Sequence, residues 1–276
     1  MATPSSLPQA RVQPAAPDML QRVAPGRALR GFGNLLHNET RAWLGTRKWF
    51  VHLVLWAAII NGFAGLVGWA EGQDGEAARA VSSEVVQVFF IIGGIAAALG
   101  VVSTTQGAIV GEKQLGTAAW IMSKPVSRSA FVLAKLLAHA GAFLVLAVAI
   151  PALVFCIQSL IAGWGLPPLV PFAGGLAVLA LHLLFYLALT VMLGTVFSAR
   201  GPIVGIGVGL IIAGQLLPNL LPQLSTFFPW RLPWAAGGLV LGEAVSREAF
   251  VAMGVTAAWT VLFVGVALWR FAREEF

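Results

Sequence analysis

Charge is scarce in this chain of 276 residues. Only 10% of the residues are Asp, Glu, Lys or Arg, whereas 58% are hydrophobic, and soluble globular domains carry about 25% charged residues. The deficit excludes a chain that folds with water as its main solvent. The single cysteine, Cys156, has no partner for an intramolecular disulfide, and we interpret it as a small apolar packing residue. No apolar run precedes residue 49, so we expect no cleavable signal peptide.

The hydrophobic residues are concentrated in long runs. A hydrocarbon core about 30 Å thick needs about 20 apolar residues per helix. Runs of this kind predict six membrane-spanning helices, near residues 49–70, 85–110, 131–161, 169–198, 203–221 and 250–269. We expect Pro151 and Pro171 to kink or bound the third and fourth spans. The predicted fold is therefore an all-α integral membrane protein with six transmembrane helices.

The basic residues indicate how these spans are oriented. Lys and Arg collect on the cytoplasmic side of multi-span proteins. If both termini are cytoplasmic, all 17 basic residues except Arg79, Arg231 and Arg247 lie in or beside cytoplasmic segments. An even number of spans with both ends inside is thus supported by charge as well as by hydropathy. The net charge of +6 then reflects membrane topology, and we expect no nucleic-acid partner.

The segments outside the spans differ in composition. Residues 1–26 are rich in Pro, Ala, Gln and Ser, which predicts a disordered cytoplasmic tail. From Arg27 onward an amphipathic helix is expected in the cytoplasmic interface, with an ordinary packing helix as the alternative. Its apolar face would hold Leu29, Phe32, Leu35, Leu36, Trp43 and Leu44.

The connection between the fifth and sixth spans is long, aromatic and interrupted by proline. Phe227, Phe228, Trp230 and Trp234 lie close together in it. Because aromatic side chains prefer the membrane–water boundary, we expect short helices folded back against the outer leaflet.

A polar segment, residues 111–130, begins with GEKQLGT and nearly spells a phosphate-binding loop. Gly111 and Gly116 have the required spacing, but Thr117 follows directly without the lysine that meets the phosphates. The segment also joins two membrane helices, whereas the motif needs a preceding strand. We therefore expect no nucleotide, metal or other cofactor to be bound by this chain itself, and no catalytic residues.

Ionisable groups within the bilayer are also missing from the predicted spans. Ion-coupled carriers need such groups to hold protons or cations. No acidic residue lies deep in a span, and Lys135 is close enough to the cytoplasmic end of the third span to extend out of the membrane. We expect the remaining polar residues of the spans to be satisfied interhelical hydrogen bonders or pore-lining groups. They are His52, His139, His182, Asn61, Gln87, Gln106, Gln158 and Gln215.

A stripe of glycines marks the fifth span. Gly201, Gly205 and Gly209 recur every four residues, and small residues on one stripe let two helix backbones approach closely. The pattern predicts a tight helix contact, either within the subunit or across a dimer.

The polar segment also carries a family resemblance. The turn GEKQLGT after the second span, an apolar patch, and then KPVSRSAFVLAK leading into the third span resemble the cytoplasmic loop of bacterial ABC (ATP-binding cassette) type-2 permeases. The amphipathic helix, the six spans and the aromatic, proline-containing connection agree with it. The resemblance covers about residues 27–276.

The resemblance implies a half-transporter. Two six-span subunits would surround a central pathway, and each would sit on a separate cytoplasmic ATPase subunit that binds ATP and Mg. The polar segment would be the coupling loop, with an apolar surface at residues 118–122, and Ser127 or Ser129 could cap the third span. The residues assigned to coupling are Gly111, Glu112, Lys113, Gly116, Thr117, Trp120, Lys124, Pro125 and Arg128.

Three functions stay open at this stage. The leading hypothesis is the permease subunit of an ATP-driven exporter in the plasma (bacterial inner) membrane, with an amphipathic or lipid-like cargo favoured by the apolar spans. The second is a membrane scaffold that anchors an ATPase and transmits mechanical change without moving cargo. The third, an autonomous secondary carrier, is disfavoured by the lack of buried acids.

Overall fold

The computed structural model describes residues 29–73 and 83–275. The predicted tail, residues 1–26, and most of the connection between the first two spans lie outside these residues. The described part contains six helices long and apolar enough to cross a membrane, which confirms the expected all-α, six-span fold. The helices are α1 Phe32–Leu44, α2 Lys48–Gln73, α3 Ser83–Thr105, α4 Val110–Gln114, α5 Thr117–Met122, α6 Arg128–Phe143, α7 Ile150–Ile161, α8 Leu169–Val196, α9 Arg200–Leu220, α10 Leu232–Val240 and α11 Arg247–Ala272.

The two prolines of the central spans act differently. The third span consists of α6 and α7 joined by a π-helical segment, Leu144–Ala149, which ends just before Pro151. Proline has no N–H to donate to the preceding turn, and a π-bulge is one way for a helix to accommodate this. Pro171 lies in the first turn of α8, where no N–H is needed, so it marks a helix start.

We call the end of the bundle that carries α1, α4, α5 and the end of α11 the proximal end, and the opposite end the distal end. Helix α1 packs on α6, with Trp43 buried and Leu35 against the core, whereas Leu29 and Leu44 stay exposed. Part of the expected apolar face is therefore a packing face within the protein.

Residues 111–130 are less of a loop than the sequence suggests. Only one turn-like interruption, residues 106–109, separates α3 from α4, so the second span continues past its predicted end to Gln114. A further short helix, α5, follows Gly116, whose φ of +70° is the left-handed conformation that favours glycine. The segment interpreted as a coupling loop thus consists largely of short helices, which the sequence did not indicate, because helices of five or six residues leave no periodic pattern to detect.

The aromatic connection between the last two spans forms short helices, as expected, but their position was predicted incorrectly. Two 3₁₀ turns, Leu224–Phe227 and Pro229–Arg231, lead into α10, which packs between α3 and α8. Pro233 is buried there against Gly94, where a side chain would lie 2.6 Å from the proline ring. The connection thus re-enters the bundle, because Gly94 on α3 and Gly175 on α8 leave room for it.

Candidate functional site

A buried ion cluster organises the proximal end. The ammonium group of Lys135 on α6 donates to Glu39 Oε1 on α1 at 2.6 Å and also to Glu112 Oε1 on α4. The lysine side chain is only 3% exposed, so its ammonium group is held inside the protein by the two carboxylates and does not reach solvent. The sequence analysis did not identify this cluster. The position of Glu39 on the otherwise apolar face of α1 could have indicated a buried partner of opposite charge.

A second set of contacts ties α4 to the neighbouring helix ends. Lys113 pairs with Glu274, with 2.7 Å between Nζ and Oε1, and the amide of Gln114 donates to the carbonyl of Ser198 at 2.8 Å. Gly111 is buried beside Arg200, and a Cβ at Gly111 would lie 3.1 Å from Nη2 of that arginine. Glu112 and Lys113 are therefore engaged inside the subunit, although the sequence suggested them as charges for a partner.

The start of α6 is held in the same way. The Ser127 hydroxyl accepts a hydrogen bond from the Ala130 N–H at 3.1 Å, which confirms Ser127 as the cap of the third span. Arg128 donates to the carbonyl of Ala272 at 2.7 Å. Below this contact the rings of Phe131 and Phe271 stack with centroids 5.0 Å apart. The end of α11 is thereby fastened to the third span.

What remains exposed on the polar segment is a small amphipathic face. Leu115 is 78% exposed and Trp120 is 64% exposed, and Nζ of Lys124 lies 3.3 Å from the centre of the Trp120 ring. Gly116, Thr117 and Pro125 border this face and are exposed too. We call Leu115, Trp120 and Lys124 the docking face.

The other apolar residues of the segment are more buried. Ala118 is fully buried, and Ile121 and Met122 are half-buried against the core. Trp120 is therefore the most exposed side chain of the apolar surface expected from residues 118–122. Leu115 was not among the residues predicted for coupling. A lone leucine between a glutamine and a glycine in a polar segment could have indicated it.

Two histidines of the spans lie in contacts between elements. His139 Nδ1 is 2.8 Å from the carbonyl of Lys135, and its ring packs edge-on against Trp43. His182 Nδ1 is 3.0 Å from the carbonyl of Pro229 in the re-entrant connection. His182 therefore acts as a hydrogen-bonding group between elements, as expected, whereas the hydrogen bond of His139 lies within α6 and its contact with α1 is the ring packing on Trp43. The amides of Asn61 and Gln158 are not fully satisfied, because each leaves a buried carbonyl oxygen without a hydrogen-bond partner among the described residues.

The glycine stripe of the fifth span lies on a free side of α9. A side chain at Gly201, Gly205 or Gly209 would meet nothing within 4 Å in the described part of the subunit. The close helix contact uses Gly207 instead, where a Cβ would lie 2.8 Å from Val102 on α3. The structure thus removes one of the two alternatives for the stripe, namely a tight contact within the subunit.

Comparison with known proteins agrees with the architecture. The chain is 25% identical over 189 residues to an uncharacterized transmembrane protein, YxlG, of Bacillus subtilis (strain 168), and the match covers 63% of this chain and 67% of that protein. Residues 34–276 match the family model described as ABC-2 family transporter protein. With this match over most of its length and six candidate spans, the chain is a multi-pass membrane protein that belongs to the ABC-2 transporter family.

Proposed function

We propose that this chain is the membrane-spanning permease subunit of an ATP-driven exporter. A separate cytoplasmic ATPase subunit binds ATP and Mg and docks on the docking face. The observation that carries the proposal is the contrast within residues 111–130. Three charged side chains make contacts inside the subunit: those of Glu112, Lys113 and Arg128. Three other side chains project from the same rigid segment: those of Leu115, Trp120 and Lys124.

Rigid mounting is what a coupling element needs. Helix α4 continues the second span, and the contacts of Lys135, Glu274 and Ser198 connect it to α1, to the end of α11 and to the α8–α9 junction. A push on the docking face is therefore transmitted to several spans at once. Movement of the spans would open the pathway to the opposite side, without any bond chemistry in this chain.

The topology follows from the same assignment. The proximal end is placed in the cytoplasm, with both termini on that side of the plasma (bacterial inner) membrane. Of the described basic residues, most lie at this end, as the positive-inside rule requires; Arg231 and Arg247 lie at the other end. A second copy of the chain completes the pathway, and the open glycine stripe on α9 is the surface we assign to that contact.

Co-purification with the ATPase encoded beside this chain tests the docking face. Aromatic anchors at the centre of an interface contribute about 2 kcal/mol or more, so Trp120→Ala should weaken the complex about 30-fold. Trp234→Ala is the matched control, because Trp234 is also largely exposed but lies at the distal end. Equal retention of the ATPase by both variants would refute the docking face.

A cargo-dependent assay separates the permease from a scaffold. In proteoliposomes with the ATPase and ATP, a permease accumulates cargo on one side, whereas a scaffold hydrolyses ATP without moving any. Transport that persists without ATP would indicate an autonomous carrier instead.

A further inference from the structure

A groove of about 680 Å³ opens between α2 and α7 toward the distal end of the bundle. Trp69 and Trp164 stand near its distal mouth, and Ile157 forms part of its apolar wall. Trp69 and Ile157 are largely exposed, so the groove faces the surroundings of the bundle. In a membrane protein those surroundings are lipid.

Two polar atoms in this apolar groove lack partners. Asn61 is only 6% exposed. Its Nδ2 donates to the carbonyl of Ala57 at 3.1 Å, which fixes the orientation of the amide. Asn61 Oδ1 is a buried acceptor without a donor among the described residues, and Gln158 Oε1 also lacks a donor there. An unsatisfied carbonyl within hydrocarbon costs several kcal/mol. A molecule that supplies a donor here would remove that cost.

Glycines shape the wall opposite α7. A Cβ at Gly65 would overlap the amide of Gln158, and one at Gly68 would overlap the indole of Trp164. Asn61, Gly65 and Gly68 follow at spacings of four and three residues, so they share one face of α2. The absence of side chains at two of these positions lets Gln158 and Trp164 close the groove around the Asn61 amide.

The chemistry of the lining selects an uncharged ligand. None of the residues that line the groove in the described chain is charged. Asn61 lies eight residues before Trp69, so its amide is about 12 Å deeper in the bundle than the distal mouth. A phosphate or ammonium headgroup would lose its hydration at that depth without a counter-charge, which is strongly unfavourable. A small hydroxyl group can descend and donate a hydrogen bond.

We propose that this groove is a binding site for an uncharged lipid with a small hydroxyl headgroup, of the diacylglycerol class. The hydroxyl donates to Asn61 Oδ1 or Gln158 Oε1, and the acyl chains lie along the apolar walls. Binding needs neither ATP nor the ATPase. The site therefore stands independently of the coupling proposed above.

Photo-crosslinking of the purified full chain in phosphatidylcholine nanodiscs tests the site. The probe is a diacylglycerol with a diazirine in one acyl chain, and labelled peptides are mapped by mass spectrometry. We expect labelling within residues 61–69 and 154–164. Loss of one neutral hydrogen bond corresponds to about 1 kcal/mol, so the double variant Asn61→Leu/Gln158→Leu, which removes both acceptors, should weaken labelling about fivefold. Each single variant leaves one acceptor and should weaken labelling less.

Controls are available on both sides of the interaction. Gln215→Leu makes the same chemical change on α9, away from the groove, and should label like the unmodified chain. A probe whose hydroxyl is methylated needs no protein variant and should also label about fivefold less, because it cannot donate. A matched phosphatidic acid probe should not label the groove above background.

The proposal would be overturned if the Asn61→Leu/Gln158→Leu double variant labelled as strongly as the unmodified chain. It would also be overturned if the methylated or the phosphate probe labelled the groove as strongly as the diacylglycerol probe, or if labelling were confined to other surfaces. Crosslinks from the groove to a second copy of the chain in place of lipid would overturn it too, since they would show that the subunit interface fills the groove. Replacing Asn61 and Gln158 by leucine removes two unsatisfied carbonyl groups, so the melting temperature of the double variant should not fall. That measurement distinguishes lost binding from lost folding.

Discussion

The ion cluster of Lys135, Glu39 and Glu112 makes an ordered prediction about stability. The cluster carries one positive and two negative charges. Lys135→Met keeps the length of the side chain but leaves two carboxylates facing each other without a cation. Glu112→Gln leaves Lys135 paired with Glu39. The first variant should therefore be much less stable than the second, although both remove one ion pair.

The magnitude follows from burial. Removing one partner from a fully buried ion pair costs about 3 to 5 kcal/mol, because the other charge stays unpaired. Here the lysine side chain is 3% exposed, but the Glu39 and Glu112 side chains are 22% and 25% exposed and keep some hydration. We therefore expect about 2 to 3 kcal/mol for Lys135→Met and about 1 kcal/mol for Glu112→Gln. For a chain of this size the larger value lowers the melting temperature by about 5 to 10 °C.

Thermal unfolding in mild detergent, followed by tryptophan fluorescence, measures the effect. Lys124→Met is the matched control, because it makes the same substitution on an exposed lysine that lies over the Trp120 ring. It should change stability by about 0.5 kcal/mol at most. A Lys135→Met variant as stable as this control, or less destabilised than Glu112→Gln, would refute the reasoning.

Three further predictions concern the assembly and the coupling segment. Gly209→Leu should lower the fraction of dimer in crosslinking or native mass spectrometry. The control Gly265→Leu, on an equally open face of α11, should leave that fraction unchanged. An unchanged fraction of dimer in both variants would contradict the α9 contact. Gly116→Val forces a β-branched residue into a left-handed conformation at a cost of about 1 to 2 kcal/mol, and it should reduce ATP-driven transport without affecting membrane insertion. Gly116→Asn should retain most of the transport activity. Normal transport by the valine variant would count against the role of this turn. Ser127→Ala should lower stability by about 1 kcal/mol in the same thermal assay, because the start of α6 loses its cap, and no change would show that the cap is dispensable.

For the substitution Glu112→Lys, the effect expected from the structure differs from the effect expected from the sequence. Glu112→Lys looks from the sequence like a way to disturb the coupling segment alone. In the fold it would place a second ammonium group beside Lys135 and would disturb the joint between α1, α4 and α6. Substitutions on the docking face, such as Trp120→Ala, separate docking from folding because Trp120 is exposed.

The sequence by itself determined the features that depend on one segment and its solvent. Six spans follow from hydropathy, because each helix must match the hydrocarbon thickness on its own. The cap at Ser127 follows from local helix chemistry, and the helical spacing of the apolar residues of α1 indicated one apolar face that includes Trp43. None of these requires knowledge of which helices are neighbours.

Only the tertiary structure decided which groups meet. Lys135 and Glu39 are 96 positions apart, and no spacing rule connects them. The re-entry of α10 depends on Gly94 of α3 and Gly175 of α8, and the groove beside Asn61 depends on how closely α7 approaches α2. Hydropathy measures transfer of a segment from water to lipid, and this quantity is nearly the same whichever face a helix turns to its neighbours. The specific pairings come from packing between helices, where one missing Cβ or one buried charge selects a single arrangement.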